Sequence, residues 1–331
     1  MAVLDLKDRK ILYQLDLNCR QSNAQIGKKV GLSKQVVDYR IKRMQEEEVI
    51  KYFWTQIDTY KLGYNCSRLY LSLQYANPMV RREIIEHLCG YKNLWAVMST
   101  TGLFDIDFVF WVKDFNDFSF FWNKTNDKYG DYFAECLFSV VTKVDSYRLS
   151  YILLDEYDRS DRDDYVRIGG GKTVNIDKVD YKLLNEMVLN ARTPLINLAE
   201  KLDCSSQSVN YRIKNLMKTG IITRFRVGIN ISYFGLQDFG LGLFLKDPRQ
   251  KRHIIDYFKN NPYATYTIYS IGFSDLQFEV HMESSEKIIQ IVDEINSKFS
   301  NSIKKYIYIT VIKTHKEQWL PEMSEEDFKA K

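Results

Sequence analysis

The hexapeptide VDYRIK at positions 37–42 returns with one change as VNYRIK at positions 209–214. A recurrence so close and so far along the chain divides it into units that must fold alike, which restricts the fold more than any composition figure. Displacing the sequence against itself by 172 residues aligns Asp8 with Asp180, Leu12 with Leu184, Asn18 with Asn190, Arg20 with Arg192, Ile50 with Ile222 and Gly63 with Gly235. At a displacement of 170, Pro78 meets Pro248, Gly102 meets Gly272 and Asp105 meets Asp275. A constant offset with one small indel is a tandem duplication, each unit spanning roughly 150 residues.

At 331 residues the chain exceeds one ordinary core. Its apolar fraction of 45% and charged fraction of 27% are those of folded soluble proteins. No apolar run approaches the roughly 20 residues that cross a bilayer. The start, MAVLDLKDRK, has no apolar core of a secretion signal, so no membrane partner and a cytoplasmic location are expected. Cys19, Cys66, Cys89, Cys136 and Cys204 are scattered without a CxxC pair, against both a disulfide framework and a zinc site, and no metal or cofactor is expected. The net charge of +4 says little, but its distribution says more. Lys and Arg outnumber Asp and Glu by 11 to 7 between Asp5 and Lys51, and by 10 to 5 between Lys172 and Gly228. The intervening DEYDRSDRDD, Asp155 to Asp164, has 6 acids against 2 arginines. Basic modules joined by an acidic link suit a polyanion.

The first part of each unit reads as three helices. Residues 6–18 place Ile11, Leu12 and Leu15 at helical spacing, Ser22 and Ser33 fit N-caps, and Gly31 fits a terminating turn. Ile26 and Val30, then Val37, Ile41 and Met44, form the apolar stripes. Leu183, Leu184 and Met187, then Leu195, Leu198 and Leu202, then Ser205 with Val209, Ile213 and Leu216 repeat those roles. Two short helices around a tight turn are a helix-turn-helix, and the runs VIKYFWTQI and IITRFRVGI behind it read as wings. The rest of each unit alternates strand and helix in the order βαββαβ, a ferredoxin-like sandwich.

The stretch "LDLKDRKIL … GLSKQVVDYRIKRMQEEEVIKYF", followed by βαββαβ with a Gly-x-x-Asp turn, resembles the Lrp/AsnC (feast/famine) family of prokaryotic transcription regulators. The resemblance spans both units, so the chain looks like two fused family protomers. It implies an α+β fold: a tandem winged helix-turn-helix plus ferredoxin-like, RAM-type sandwich. Expected boundaries are 1–60 and 61–154 for the first pair of domains, a 155–172 linker, 173–232 and 233–316 for the second pair, and a 317–331 tail. Family members pair through their sandwiches, so fusion implies that pairing within one chain. In the second copy Gly220 ends the third helix, and Glu48 stands in its place in the first.

The second helix of a helix-turn-helix enters the major groove with its N-terminal, outward side chains on base edges. The outward set is Lys34, Gln35, Asp38, Tyr39 and Lys42, matched by Ser206, Gln207, Asn210, Tyr211 and Lys214. Gln suits adenine, Asp38 suits cytosine N4 where Asn210 suits adenine, and non-identical half-sites in double-stranded DNA follow. Lys51, Arg224 and Arg226 on the wings are phosphate candidates. Beside the apolar stripes, Arg40 and Arg212 are placed either for ion pairs to Asp8 and Asp180 or for DNA. From the resemblance, the turns at 101–105 and 271–275 are candidate loops for an amino-acid-like effector, through Thr101, Gly102, Asp105 and Asp107 with Ile271, Gly272 and Asp275. Hairpin chemistry alone also accounts for a Gly beside an Asp. Homo-oligomers of the fused chain are a further expectation.

GGGKT at 169–173 is not a phosphate loop, since that pattern needs glycine where Val166 stands, and a flexible hinge is expected instead. The aromatic run FWVKDFNDFSFFW reads as core and interface packing rather than a cofactor box. Two alternatives share this architecture: a siroheme-decarboxylase-like tetrapyrrole enzyme and an architectural DNA-wrapping protein. His87, His253, His281 and His315 have no histidine at their repeat positions, and no Ser-His-Asp or paired-carboxylate constellation is evident, so no catalytic residue is expected.

Overall fold

The computed structural model describes residues 4–328 apart from 157 and 300; the parts of the expected domains, linker and tail at 1–3, 157, 300 and 329–331 lie outside the described residues. The first unit begins with α1 (Leu6–Leu17), α2 (Asn23–Val30) and α3 (Lys34–Glu46). The Asp8 amide donates to Asp5 Oδ1 at 2.8 Å and the Asp5 amide donates back to Asp8 Oδ2 at 3.2 Å, a capping box that fixes where α1 starts. Ser22 and Ser33 cap α2 and α3. Ile11, Leu12, Leu15, Ile26, Val37 and Met44 close a fully buried three-helix core. There follow β1 (Ile50–Ile57), β2 (Asn65–Leu73), α4 (Pro78–Cys89), β3 (Leu94–Gly102), β4 (Ile106–Val112), α5 (Phe115–Tyr129), β5 (Phe133–Ser146) and β6 (Val166–Ile168). The second unit repeats the plan with α6 (Lys178–Met187), α7 (Leu195–Lys201), α8 (Ser206–Lys218), β7 (Ile222–Ile229), β8 (Gln237–Leu245), α9 (Lys251–Lys259), β9 (Ala264–Ile271), β10 (Leu276–Met282), α10 (Ser285–Lys298) and β11 (Ile303–Glu317).

Each sandwich has the antiparallel order expected of βαββαβ: β5-β2-β4-β3 in the first and β11-β8-β10-β9 in the second. Their edges meet. β3 pairs β11 with Gly102 opposite Ile309, and β5 pairs β9 with Val144 opposite Ile268. Eight strands thereby close into one barrel, and the exposed edges that two separate sandwiches would carry disappear. Helices α4 and α5 cover the first sheet from outside, over Leu69, Leu71, Phe108 and Phe110, with Phe110 stacked on Phe118 at 4.0 Å. Of the aromatic run, Phe110, Trp111 and Phe118 are buried, each contributing about 1.5–3 kcal/mol, whereas Phe115 and Phe120 are exposed. Helices α9 and α10 do the same for the second sheet.

The strands behind the helix-turn-helices are not free wings. β1 and β7 pair with each other, Phe53 opposite Val227, and join the two units in a ribbon. The Cys19 amide donates to the Phe225 carbonyl at 2.9 Å and the Ala191 amide to the Phe53 carbonyl at 2.8 Å. Each helix-turn-helix is therefore hydrogen-bonded to the strand that leaves the other one. Arg20 reciprocates by donating to the Ala191 carbonyl and Arg192 to the Cys19 carbonyl.

The linker expected at 155–172 is packed against the two units. β6 pairs β5 with Arg167 opposite Asp145, and Arg162 is fully buried over the Tyr147 ring, donating to the Lys259, Arg148 and Ala264 carbonyls. Two of its acids have local partners: Asp161 binds Tyr13 and Arg148, and Asp164 binds Arg148 and Arg224. Gly169, Gly170 and Gly171 all take positive φ, at 99°, 79° and 82°, so the triple glycine turns the chain sharply.

Candidate nucleic-acid interface and barrel cavity

On α3, Lys34, Gln35, Asp38, Tyr39 and Lys42 are all exposed, Tyr39 by 67%. On α8, Ser206, Gln207, Tyr211 and Lys214 are exposed, Tyr211 by 72%, and Asn210 is half-buried. The same position of both helices thus presents an exposed tyrosine. Asp38 accepts from Asn23 Nδ2 at 3.0 Å, and Arg192 of the other unit donates to the same Asn23, at 2.7 Å. Arg40 is an internal tie, 2.8 Å from both Asp5 and Asp8, and Arg212 repeats it with Asp177 and Asp180 at 2.8 and 2.7 Å.

Lys51 is exposed on the ribbon. Arg224 and Arg226 correct the sequence reading, because a ribbon strand has a protein-facing side that a free wing lacks. Arg224 is half-buried and bound to Asp164. Arg226 is 3% exposed, donating to Asp16 Oδ1 at 2.8 Å, Ser146 Oγ at 3.0 Å and the Tyr147 carbonyl at 2.9 Å. Burial works against its charge, but Asp16 holds the guanidinium above its ordinary pKa. It locks the first helix-turn-helix to the barrel.

Most effector candidates have structural tasks. Asp105 accepts from the Leu73 amide at 2.8 Å and pairs with Arg81, and Asp275 accepts from the Leu245 amide at 2.7 Å. Gly102 and Gly272, at φ 119° and 107°, sit where a Cβ would lie 2.5 Å from the Tyr308 carbonyl and 2.6 Å from that of Phe138. These glycines permit the close strand approach between units. Thr101 and Ile271 are exposed beside them. Asp107 differs: it is fully buried inside the barrel, pairing with Arg68.

That bore holds a cavity of about 260 Å³. Arg68 and Glu279 also line a narrow recess with Tyr70 and Phe273, and Tyr52 and Trp54 of the ribbon with Trp319 of the tail line the cavity, Trp54 and Trp319 lying 4.8 Å apart. Asp107, Asp238, Glu279, Glu317, Arg68 and Arg226 line it. Glu279 accepts from Arg68 at 2.9 Å. Burial would lower the Arg68 pKa, but Asp107 and Glu279 hold it well above the ordinary value. Burial pushes Asp238 up to about 6 and Glu279 above its ordinary value, and pushes His281 down to about 4. His281 shares a 2.8 Å hydrogen bond with Tyr151.

A family model for "winged helix-turn-helix DNA-binding" matches residues 4–51 and again 176–223. An uncharacterized HTH-type transcriptional regulator of Pyrococcus abyssi is 33% identical over 121 residues, which is 35% of this chain and 80% of that protein. The chain belongs to the Lrp/AsnC family of DNA-binding transcription regulators. HTH-type transcriptional regulator Ptr1 of Methanocaldococcus jannaschii is 32% identical over 112 residues, 34% of this chain and 74% of its own. A crystal structure of the siroheme decarboxylase NirDL superposes on 97% of this chain and 96% of its own with TM-score 0.65 and 12% identity, a likeness of fold.

In this Lrp/AsnC chain the cavity is what the sequence reading missed. Its signal was present: Arg68 in RLYLSLQ, Asp107 in DIDFVFW, and Glu279 with His281 in LQFEVHM occupy alternate, inward positions of strands whose other faces are apolar. Charge recurring on one face of a buried strand indicates a lined interior.

Proposed function

We propose that the chain is a cytoplasmic regulator in which one polypeptide carries both DNA readers of a pseudo-dimer, each reading a different half-site. The single observation behind this reading is the duplicated bare face, Gln35-Tyr39-Lys42 and Gln207-Tyr211-Lys214, over cores held by the Arg40 and Arg212 ties. A glutamine reaches adenine N6 and N7 with two bonds, and Lys42 and Lys214 meet guanine or phosphate. The units differ at Lys34 against Ser206 and at Asp38 against Asn210. Each good bidentate pair contributes roughly 1–3 kcal/mol of discrimination. Lys51 supplies phosphate contact, while Arg224 and Arg226 serve the interior. A small effector between the sandwiches and further assembly of fused chains complete the reading.

No catalytic step enters it. An acid-rich cavity of about 260 Å³ is small for a tetrapyrrole and opposes its carboxylates, which favours the regulator over the decarboxylase alternative.

Fluorescence anisotropy of the purified chain with duplex from its own upstream region and with random duplex, across a salt series, tests this. Tighter binding to the upstream duplex, a steep negative log–log salt slope, and loss of the preference on Gln35→Ala with Gln207→Ala are expected. Equal, weak binding to both duplexes contradicts it.

A further inference from the structure

We infer that the barrel cavity is a binding site for a small organic cation, an amine or guanidine, recognised by unmatched carboxylates and an aromatic wall. This deepens the effector part of the proposed function. It rests on the paired sandwiches alone and needs no DNA.

The charge does not close without a ligand. Four lining carboxylates, Asp107, Asp238, Glu279 and Glu317, stand against two lining guanidiniums, and Arg226 is already matched by Asp16 behind the wall. Arg68 serves Asp107 and Glu279 together. Asp238 is left with His281 Nε2 at 3.9 Å, and burial keeps that imidazole neutral at pH 7. Glu317 stands at the mouth beside Trp319. Asp107 is fully buried against Arg68, whereas Asp238 and Glu279 are half-buried and Glu317 is exposed, so the last three stay open to a cation entering the cavity.

The walls have matching chemistry. Tyr52, Trp54, Trp95, Tyr151, Tyr266 and Trp319 face the same space, and aromatic faces near carboxylates are what desolvated ammonium and guanidinium groups take as partners. An independent sign lies deeper. Gln277, 4% exposed, leaves both its amide oxygen and its amide nitrogen unbonded in a narrow recess it shares with Arg68 and Glu279. A buried amide with neither bond made is rare, and a ligand hydroxyl, amine or water would satisfy it.

The duplication explains how the space arose. At the 172-residue offset Arg68 corresponds to Gly240 and Tyr70 to Gly242, so one unit fills the bore and the other leaves room. At the same offset Cys66 corresponds to Asp238, and at 170 Val109 corresponds to Glu279, which places the added carboxylates in the second unit. An identical dimer would have repeated both. A volume of 260 Å³ admits on the order of a dozen non-hydrogen atoms at protein packing density.

Calorimetric titration of the full chain without DNA, using agmatine and 1,5-diaminopentane against 1,5-pentanediol and glutarate, decides it. One cation site per chain, no heat from the diol or the dianion, quenching of tryptophan fluorescence, and at least tenfold weaker binding in both Asp238→Asn and Glu317→Gln are expected. Glu317 is exposed, so its variant reports binding even if Asp238→Asn disturbs the fold. Absence of cation binding, equal binding of the diol, or unchanged affinity in both variants overturns the proposal. Because no DNA is present, failure here leaves the DNA reading standing, and failure of the DNA reading leaves this result readable.

Discussion

Asp238 carries a carboxylate into a space already occupied by Asp107 and Glu279, with Arg68, Arg226, Glu317 and the neutral His281 around the same cavity. Burial raises its pKa to about 6. An acid whose folded pKa exceeds its unfolded value of about 3.9 binds protons more tightly when folded, so its contribution is complete below that value and is lost as pH rises through about 6. Asp238→Asn is therefore expected to raise the thermal midpoint at pH 7.5, with the advantage fading toward pH 4; coinciding midpoints at every pH contradict this. The same variant loses cation affinity, the trade of stability for function expected at a binding site. Glu48 is a second residue held against its preference, at φ 57° where the second unit has Gly220 at 79°. Glu48→Gly should stabilise the chain by about 1 kcal/mol, read as a higher denaturant midpoint with unchanged slope. That substitution was legible in the sequence because the repeat sets the two positions side by side. The unpaired Asp238 was not, since its neighbours come from other strands and the other unit.

Among the elements, helices were the most legible, because Ser22, Ser33 and Ser205 announce their own starts through bonds three residues long. The strands β1 and β7 of the winged modules were legible, but their pairing was not, because the partner of each lies in the other unit, beyond any local pattern. The packing of the linker was hidden for a related reason: composition shows acids and glycines, but not the carbonyls that gather around Arg162. Two substitutions separate ribbon from wing. Arg226→Ala leaves Asp16 buried without its ion-pair partner and should cost about 3–5 kcal/mol. Arg224→Ala removes a partly screened pair to exposed Asp164 and should cost less than about 1 kcal/mol. Urea melts check both, and similar small losses would contradict the ribbon's role. At the barrel seam, Gly102→Ala forces a Cβ toward the Tyr308 carbonyl at positive φ, and a loss above about 1 kcal/mol is expected in the same assay.

At the scale of the whole molecule, fusion frees two halves of a dimer to differ. The outer surface keeps the repeat, as the matched Gln, Tyr and Lys of α3 and α8 show, whereas the bore departs from it at Arg68 against Gly240 and Val109 against Glu279. The tandem α+β plan was readable from the offset alone; closure of eight strands into one barrel required the inter-unit registers. The central claim, one chain with two distinct DNA readers, is tested most directly by hydroxyl-radical footprinting on the upstream duplex with the parent chain, Gln35→Ala and Gln207→Ala. Two protected half-sites per chain, each weakened by a different one of the substitutions, is the predicted result. Loss of both half-sites together from either substitution, or protection indifferent to both, would contradict it.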